Sequence, residues 1–435
     1  MAQYAFSTDR PRQMTTEENS ILLVLPVPFR KNSDGTLLIE KQACNGIDRW
    51  ADNFNKVVVA CPIIDEKTFL SGNTTAEYVP ATKLESFDRV ELVTLPHAYR
   101  ITSYIRSYSR TRKLLSGLIV KNKYLSFAIG GLIGDWASLA AVEAIKQKRA
   151  YSVWTDRVEH QVVKNSYQDR HGLRRIYRFL KDRLLQSWLM AMAERYIISR
   201  ADLGMFHGMD CFETYHNLCR EPHLVHNIHL KETDRISSEE LNKKIQRIME
   251  GQALRIVYAG RVAGMKGPFD WIETMSQLQS MGVDFSAVWL GDGPLLEEAR
   301  KQLKLKNLDG KVKFLGHQGQ KDKLLKSIRE SDIFVFCHKT PESPRCLIEA
   351  MLSGTPIMGY KSPYPEDLLK NISRNLLTDK NDITALAKNI CRINNNREEL
   401  ANAMAYCHQI SEHYTDKAVF SHRSQLIKEY LKTST

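Results

Sequence analysis

The strongest constraint on the fold is a repeated alternation of short apolar runs with longer amphipathic segments. Strand-length apolar runs occur in the first half of the chain at residues 21–26, 57–61, 90–95, 125–130, 151–155 and 196–199. Helix-length segments separate most of these runs. The alternation predicts a parallel sheet covered by helices, because each parallel connection needs a crossover that a helix supplies.

A second alternating series follows a polar, charged segment at residues 237–250. Its apolar runs are residues 255–259, 286–290, 312–315, 333–337 and 356–360. One compact core rarely holds 435 residues, so we predict two tandem, doubly wound, Rossmann-like α/β domains that face a central cleft. The predicted parts are an N-terminal tail (1–20), an N-terminal domain (21–245), a C-terminal domain (246–415) and a C-terminal helix that packs back on the N-terminal domain (416–435).

Composition excludes several other classes of protein. The 43% hydrophobic and 26% charged residues are typical of a globular domain rather than a disordered or fibrous chain. Residues 1–20 lack a secretion-signal pattern, and charged residues and glycines interrupt the most apolar stretch at 125–145, so we expect no membrane span and a cytoplasmic location. The eight cysteines form no CxxC pair, which favours reduced thiols over disulfides or zinc.

The net charge of +12 is concentrated in one part of the chain. Residues 101–200 contain 19 Lys and Arg against 7 Asp and Glu, an excess of 12, so the remainder is nearly neutral. A positive field of this kind predicts a negatively charged partner or surface for the first half of the protein.

Two predicted helices in this region have an apolar face and a cationic face. In the first, Arg106, Arg110 and Lys113 oppose an apolar set: Ile101, Tyr104, Ile105, Tyr108, Leu115 and Ile119. In the second, Arg174, Arg178 and Lys181 oppose another: Leu173, Ile176, Tyr177, Leu180, Leu184 and Trp188. Two explanations of this pattern are equally good. The helices can pack on the core with their charges in solvent, or their cationic faces can attract anionic lipid headgroups or an anionic acceptor. Nucleic acid is a weaker alternative, because no nucleic-acid-binding motif is present.

A glycine-bearing loop follows the predicted strand at 255–259 and reads GRVAGMKG from Gly260 to Gly267. Glycine lets backbone approach a ligand, and Arg261 and Lys266 can converge on one polyanion. We predict that this polyanion is a diphosphate. The next predicted strand ends in the turn Gly291, Asp292, Gly293. Neither a P-loop nor the full dinucleotide fingerprint is present, so the need for a tight turn would also explain these glycines.

The segment TPESPRCLIEAMLSG at residues 340–354 predicts a helix whose start binds an anion. Ser343 is expected to cap the helix, Pro344 to begin it and Gly354 to end it. The first amides then point outward, where the helix dipole also favours an anion. Glu349 lies between apolar neighbours on this helix, so ribose hydroxyls or a salt bridge are its candidate partners.

Five motifs, in this order along the chain, resemble the second half of the retaining glycosyltransferases of family 4, also called group 1. They are GRxxxxKG, GDGP, VKFLGH, SDIFV and IEAMLSGTPI. The resemblance covers residues 255–387. It implies the GT-B fold, with a nucleotide-sugar on the C-terminal domain and the acceptor on the N-terminal domain.

The resemblance also implies roles for particular residues. Arg261 and Lys266 hold the donor diphosphate, and Glu349 matches the second Glu of the family's E-x7-E motif, which binds ribose. The first Glu of that motif would stand at Pro341; the acid present is Glu342, one residue later, which we place at the donor sugar. The other donor-side residues are Gly260, Gly291, Asp292, Gly293, His317, Arg345, Cys346 and Leu347. No metal and no further cofactor are expected, because the cations and the helix start take the metal's place.

In the first half the resemblance is limited to the order of elements and a glycine in the first loop. Gly35, His97, Asp156 and His160 follow strand ends that should face the cleft, so they are acceptor-side candidates. A lone histidine in such a place is more often structural.

The sequence therefore predicts a retaining glycosyltransferase that moves a sugar from a nucleotide-diphosphate donor to a glycan or lipid-linked acceptor. We place it in surface polysaccharide or glycolipid synthesis, with a candidate contact to the inner face of the membrane. The alternatives are a nucleotide-sugar epimerase or phosphorylase of related fold, and a membrane-surface or polyanion-binding scaffold with a degenerate donor site.

Overall fold

The computed structural model describes residues 17–32, 34–64, 77–131, 133–161, 173–340, 342–372 and 376–431, with side chains omitted at 17–18 and 173–185. Two α/β units follow each other along the chain, each built on its own sheet of mostly parallel strands. The predicted fold class is confirmed.

The described residues of the first unit form ten strands and five helices. Its strands are β1 (Glu17–Val24), β2 (Phe29–Lys31), β3 (Leu37–Glu40), β4 (Lys56–Ile64), β5 (Tyr78–Pro80), β6 (Val90–Pro96), β7 (Asn122–Ala128), β8 (Ser152–Thr155), β9 (Leu203–His207) and β10 (Pro222–Val225). Its helices are α1 (Lys41–Ala51), α2 (Ile101–Lys121), α3 (Trp136–Lys146), α4 (Leu173–Ile198) and α5 (Gly208–Tyr215).

The strand order of the first sheet is β10-β9-β8-β7-β1-β4-β2-β3-β5, and β6 also pairs with β4. The pairs of β3 with β2 and β5 are antiparallel. Helices cover both faces, so β1 is buried on both: Ile21 and Leu23 enter one core, and Leu22 and Val24 enter the other. This is why β1 appears in the sequence as an unbroken apolar run rather than an alternating one.

The second unit contains six strands and nine helices among the described residues. The strands are β11 (Leu254–Ala259), β12 (Phe285–Leu290), β13 (Val312–Phe314), β14 (Ile333–Phe336), β15 (Ile357–Tyr360) and β16 (Leu377–Thr378). The helices are α6 (Ser238–Met249), α7 (Pro268–Ser280), α8 (Leu296–Leu305), α9 (Lys321–Arg329), α10 (Arg345–Leu352), α11 (Pro363–Leu368), α12 (Ile383–Asn395), α13 (Arg397–Ile410) and α14 (Asp416–Tyr430).

The order of the second sheet is β13-β12-β11-β14-β15-β16, and every pair is parallel. The direction of strand addition reverses between β11 and β14. At such a switch point the loops after the two strands diverge and leave a crevice at the carboxyl edge, where α/β sheets bind ligands.

The last helix, α14, contacts the first unit rather than the second sheet. Phe420 meets Trp50 of α1 edge to face, with ring centroids 5.4 Å apart. Lys428 Nζ donates a hydrogen bond to the carbonyl oxygen of Asn53 at 2.6 Å. Arg423 is buried among Trp50, Trp154 and Phe420.

The strand predicted at residues 196–199 is wrong. Tyr196 to Ile198 form the last turn of α4, and the strand beside β8 is β9. The apolar residues at 196–198 continue the helical pattern. Gly204 inside β9 weakens its strand signal, and it is needed because a Cβ there would overlap the Phe206 ring.

The predicted apolar faces of α2 and α4 are wrong in part. Leu115 and Ile119 of α2 are buried, and Tyr104 stacks on Trp136 of α3 with centroids 5.0 Å apart. The first turns of α2 extend beyond this packing, so Ile101 and Ile105 are 61% and 69% exposed. Trp188 of α4 is also exposed, and the earlier side chains of that predicted face lie outside the described residues.

Candidate functional site

The loop after β11 is held against the loop after β12 by backbone contacts. The Gly260 amide donates to the carbonyl of Leu290, and the Val262 amide donates to that of Asp292. A Cβ on Gly291 would overlap the Gly260 carbonyl, and one on Gly293 would overlap that of Val262. Gly291 and Gly293 therefore shape the loop that carries Arg261 and Lys266.

Lys266 lies at the end of this loop, beside the loop that follows β14. Its Nζ is 2.6 Å from Glu342 Oε1, and the two side chains are 14% and 22% exposed. Glu342 therefore points inward at the switch point and does not extend into solvent. Pro341, where the family motif would place its first Glu, lies outside the described residues.

A buried histidine, which the sequence interpretation missed, lies behind this ion pair. His338 Nε2 is 2.8 Å from the Tyr258 hydroxyl, and His338 Nδ1 is 3.8 Å from Glu342 Oε1. Burial and the nearby Lys266 hold the pKa of His338 well below its usual value, so the ring is neutral. If the Tyr258 hydroxyl donates to Nε2, the single ring proton lies on Nδ1, toward the Glu342 carboxylate.

The helix after the Glu342 loop begins one residue later than predicted. Pro344 occupies the cap position and Arg345 is the first helical residue. The Ser343 hydroxyl does not cap the helix but donates to the carbonyl of His207 in the first unit, at 3.5 Å. Pro344 has no side-chain oxygen to offer, which leaves the helix start without a side-chain cap.

The open helix start presents two free amides. The Leu347 amide donates to the carbonyl of Pro344 at 3.2 Å, whereas the amides of Arg345 and Cys346 find no acceptor within the described chain. The far end is closed, since the amides of Gly354 and Thr355 donate to the carbonyls of Met351 and Ala350. Two outward amides at a positive dipole end suit an anion.

Glu349 lies one turn into α10, on the side where Arg345 and Lys321 contribute positive charge. Burial raises the pKa of Glu349 above its usual value, while the two cations oppose that rise. No hydrogen bond to its carboxylate occurs among the residues that the structure describes. The salt bridge considered as its structural partner is therefore not formed, and both oxygens can accept hydrogen bonds from a ligand.

Arg261 and His317 are exposed residues at the same carboxyl edge. Arg261 follows β11, and His317 lies in the loop after β13. In the described part of the chain the Arg261 guanidinium makes neither a hydrogen bond nor an ion pair. Asp292 is exposed too, and its Oδ1 accepts from the Gly293 amide at 2.6 Å. The donor-side residues thus come together along one edge of the second sheet.

The acceptor-side candidates are more dispersed. Gly35, with a φ of 90°, forms the turn between β2 and β3, where its amide donates to the carbonyl of Asn32. His97 is exposed after β6 and packs edge to face on Tyr99, with centroids 4.9 Å apart. Neither contact involves a residue of the donor side.

Asp156 and His160 follow β8 and have partners in the first unit. Asp156 Oδ2 accepts from Asn227 Nδ2 at 3.0 Å. His160 Nδ1 is 2.6 Å from Glu194 Oε2, and the same oxygen accepts from the Tyr215 hydroxyl at 2.8 Å. The geometry of His160 is that of a residue connecting α4 and α5.

The two units meet at the site itself. Arg345 Nη1 donates to Gln42 Oε1 of α1 at 2.8 Å, on one side of the α10 start. On the other side, Gly208 at the start of α5 has a φ of 72° and lies so close to Ser343 that a Cβ would overlap its hydroxyl. Neither Gln42 nor Gly208 carries a local sequence signal, because their role depends on how the units pack.

Asp210, in the first turn of α5, is a further cleft residue that sequence reasoning missed. Burial raises its pKa to about 7, and the negative charges of Glu213 and Glu342 add to the rise.

Within the described residues, no group of three or more His, Cys, Asp or Glu side chains is placed to hold a metal ion.

Solved structures with the same two-domain architecture define the class of fold. The Anabaena protein Alr3699/HepE in complex with UDP aligns with 94% of this chain and 100% of its own, with a TM-score of 0.63 and 14% identity. The same protein with UDP-glucose covers 95% of this chain and 99% of its own, with a TM-score of 0.59 and 15% identity. The chain has the GT-B fold.

Residues 238–409 match the family model described as glycosyl transferases group 1. This stretch of the second unit has the sequence pattern of group 1 glycosyltransferases, and the resemblance found in its motifs is confirmed. The 2-deoxystreptamine N-acetyl-D-glucosaminyltransferase of Niallia circulans is 25% identical over 171 residues, which are 39% of this chain and 41% of the relative. The chain thus spans less than half the length of this curated relative.

Proposed function

We propose that the protein is a nucleotide-sugar-dependent glycosyltransferase that transfers a sugar to a glycan or lipid-linked acceptor with retention of configuration. The observation that carries the proposal is the convergence of Arg261, Lys266 and the open start of α10 on the switch point of the second sheet. Two cations and two free amides suit a diphosphate. UDP and UDP-glucose, bound by the structurally similar Anabaena protein, have this chemistry.

In this proposal the chain lowers the barrier by stabilising the leaving diphosphate. Negative charge grows on the diphosphate as its bond to the anomeric carbon breaks. Arg261, Lys266 and the amides of Arg345 and Cys346 are already oriented toward that charge, so little reorganisation is needed during the reaction. Glu349 binds the ribose hydroxyls, and no metal is required.

Titration of UDP, ADP and GDP in the presence of EDTA tests the donor site. Binding of at least one nucleoside diphosphate without metal supports the proposal, and binding that appears only after a divalent cation is added contradicts its metal-free form.

The rival activities leave different products. An epimerase changes the sugar without releasing the nucleotide, a phosphorylase requires inorganic phosphate, and a scaffold binds without turnover.

We expect Glu342→Gln to slow sugar transfer at least tenfold, about 1.4 kcal/mol, while affinity for a nucleoside diphosphate stays within about twofold. The reason is that this proposal assigns Glu342, the partner of Lys266, to the donor sugar, whereas the diphosphate and ribose keep Arg261, Lys266 and Glu349. Steady-state rates and diphosphate titration on the one variant check this. A neutral result in both would remove Glu342 from the site.

The acceptor is proposed to enter from the N-terminal domain, whose surface also suits a membrane. Exposed apolar side chains project from α2, from α4 and from the loop before α2: Tyr99, Ile101, Ile105, Trp188, Leu189, Met192 and Tyr196. Both helices contact α3. Arg106, Arg110 and Lys113 are exposed on α2 beside this set. Apolar groups flanked by cations match an anionic lipid surface. No described helix is both long and apolar enough to span a bilayer.

Replacing Arg106, Arg110 and Lys113 together by Gln should weaken binding to phosphatidylserine-containing vesicles by up to about 3 kcal/mol, since each cation contributes about 1 kcal/mol. Vesicle co-sedimentation at low and high salt measures the effect. The matched control is Lys301, Lys304 and Lys313, which are exposed on the second unit and whose replacement by Gln removes the same charge. Equal losses in both triple variants would contradict a specific membrane face.

We propose that the protein acts in the cytoplasm, at the inner face of the membrane, in surface polysaccharide or glycolipid synthesis. All eight cysteines are free in the structure, and a reducing compartment would keep them so. The first acceptor to test is 2-deoxystreptamine, which the name of the Niallia circulans relative gives as its acceptor.

A further inference from the structure

Asp210 is a carboxylate at the cleft that no donor of the described chain satisfies. It lies in the first turn of α5, directly after β9 at the carboxyl edge of the first sheet. Its Oδ2 atom is buried without a hydrogen-bond partner, while the residue as a whole stays partly exposed. A buried oxygen of this kind costs folding free energy unless a donor arrives from outside the chain.

The first turn of α5 lies directly against the loop that carries Glu342. Gly208, two residues before Asp210, leaves no room for a Cβ beside Ser343, and Ser343 follows Glu342 in the chain. The two carboxylates are close enough for Glu342 to raise the pKa of Asp210. Asp210 and Glu342 thus approach the same space from the two domains.

The two carboxylates differ in what they bind. Glu342 is paired with Lys266 at 2.6 Å, and both belong to the domain that provides the proposed diphosphate site. Asp210 belongs to the opposite domain, and no side-chain donor reaches it within the described chain. The partly exposed carboxylate is therefore available to a group that enters from the N-terminal side.

We infer that Asp210 binds the acceptor hydroxyl that attacks the donor sugar, accepting its hydrogen bond and directing its oxygen toward the anomeric carbon. This inference rests on the proposed glycosyl transfer. In that reaction the acceptor O–H bond breaks, a new bond forms between the acceptor oxygen and the anomeric carbon, and the bond from that carbon to the diphosphate breaks. The hydroxyl proton passes to the Asp210 carboxylate as the new bond forms and from there to the released diphosphate, so Asp210 is regenerated.

The test compares Asp210→Asn with Glu213→Gln. Glu213 lies one turn further along α5 and is exposed, so its replacement removes the same charge from the same helix. The probes are UDP-glucose as donor, with water and 2-deoxystreptamine as hydroxyl acceptors. We expect Asp210→Asn to lower turnover at least tenfold, with any KM change confined to the acceptor. The KM for UDP-glucose and the Kd for UDP should stay within twofold.

Thermal unfolding separates substrate binding from a structural role. Asp210→Asn should leave Tm unchanged or raise it, because it removes an unpartnered charge. The assays are run well above the pKa of Asp210, where Asp210 is ionised whether or not Glu213 is charged, and there Glu213→Gln should match the wild type. A rise in the KM for UDP-glucose, loss of UDP binding, or equal turnover in the two variants would overturn the inference. A wild-type protein that turns over neither UDP-, ADP- nor GDP-glucose would instead overturn the proposed function on which it rests.

Discussion

Lys266→Ala is expected to cost about 2–4 kcal/mol in transition-state free energy, a loss of roughly 30- to 1,000-fold in kcat/KM for the donor. The ammonium lies at the switch point, where the loops after β11 and β14 meet, and in the proposed reaction it faces the charge that grows on the leaving diphosphate. Affinity for UDP should fall as well. Steady-state kinetics with UDP-glucose and calorimetric titration of UDP measure the two effects.

The ion pair with Glu342 supplies a matched control for this variant. Glu342→Gln breaks the same pair from its other side but leaves the Lys266 cation in place. UDP affinity should therefore fall in Lys266→Ala and be retained in Glu342→Gln. If both variants lost UDP affinity equally, the pair would be a structural contact and the assignment of Lys266 to the diphosphate would fail.

Gly267→Ala is expected to have the other large effect, on both stability and donor binding. Gly267 has a φ of 64° and lies between Lys266 and the first residue of α7, at the cap position of that helix. A Cβ there would overlap the Cys337 carbonyl in the loop after β14, so one of the two loops must move. Left-handed backbone costs about 1–2 kcal/mol for a residue with a Cβ, and the displacement moves Lys266 in addition. Thermal unfolding and UDP titration report these consequences.

Gly282 separates the backbone cost from the steric one. Its φ is 74°, similar to that of Gly267, but a Cβ there would meet nothing within 4 Å. Gly282→Ala should therefore lose only the backbone contribution and keep normal UDP affinity. Equal destabilisation of the two alanine variants, with UDP binding intact in both, would contradict the close packing of the Gly267 loop.

The architecture could be predicted because most central strands are buried on both faces and appear as continuous apolar runs. The short strands β2, β3, β5, β10 and β16 could not, since two to four residues carry no periodicity and their pairing depends on neighbours distant in sequence. The error at residues 196–199 has a related cause. An apolar run alone does not distinguish the last turn of a helix from a strand.

The donor side of the site could be predicted because its residues lie in short motifs that follow strands. Asp210 and Gly208 could not, because only the packing of the two domains brings them beside Glu342 and Ser343, more than a hundred residues later. Helical periodicity placed Ile101 on an apolar face of α2, but it does not reveal whether such a face meets a core, solvent or lipid. Whether a residue of α2 is buried depends on how far α3 extends along that helix.

The central claim, transfer of a sugar from a nucleotide donor at the carboxyl edge of the second sheet, is tested most directly by nucleotide release. UDP-, ADP- and GDP-glucose are incubated with the wild-type protein and with Lys266→Ala, with and without an acceptor such as 2-deoxystreptamine, and the released nucleoside diphosphate is measured. The account predicts release by the wild type from at least one donor, stimulation by an acceptor, and at least a 30-fold loss in the variant. No release from any donor, or equal release by both proteins, would contradict it.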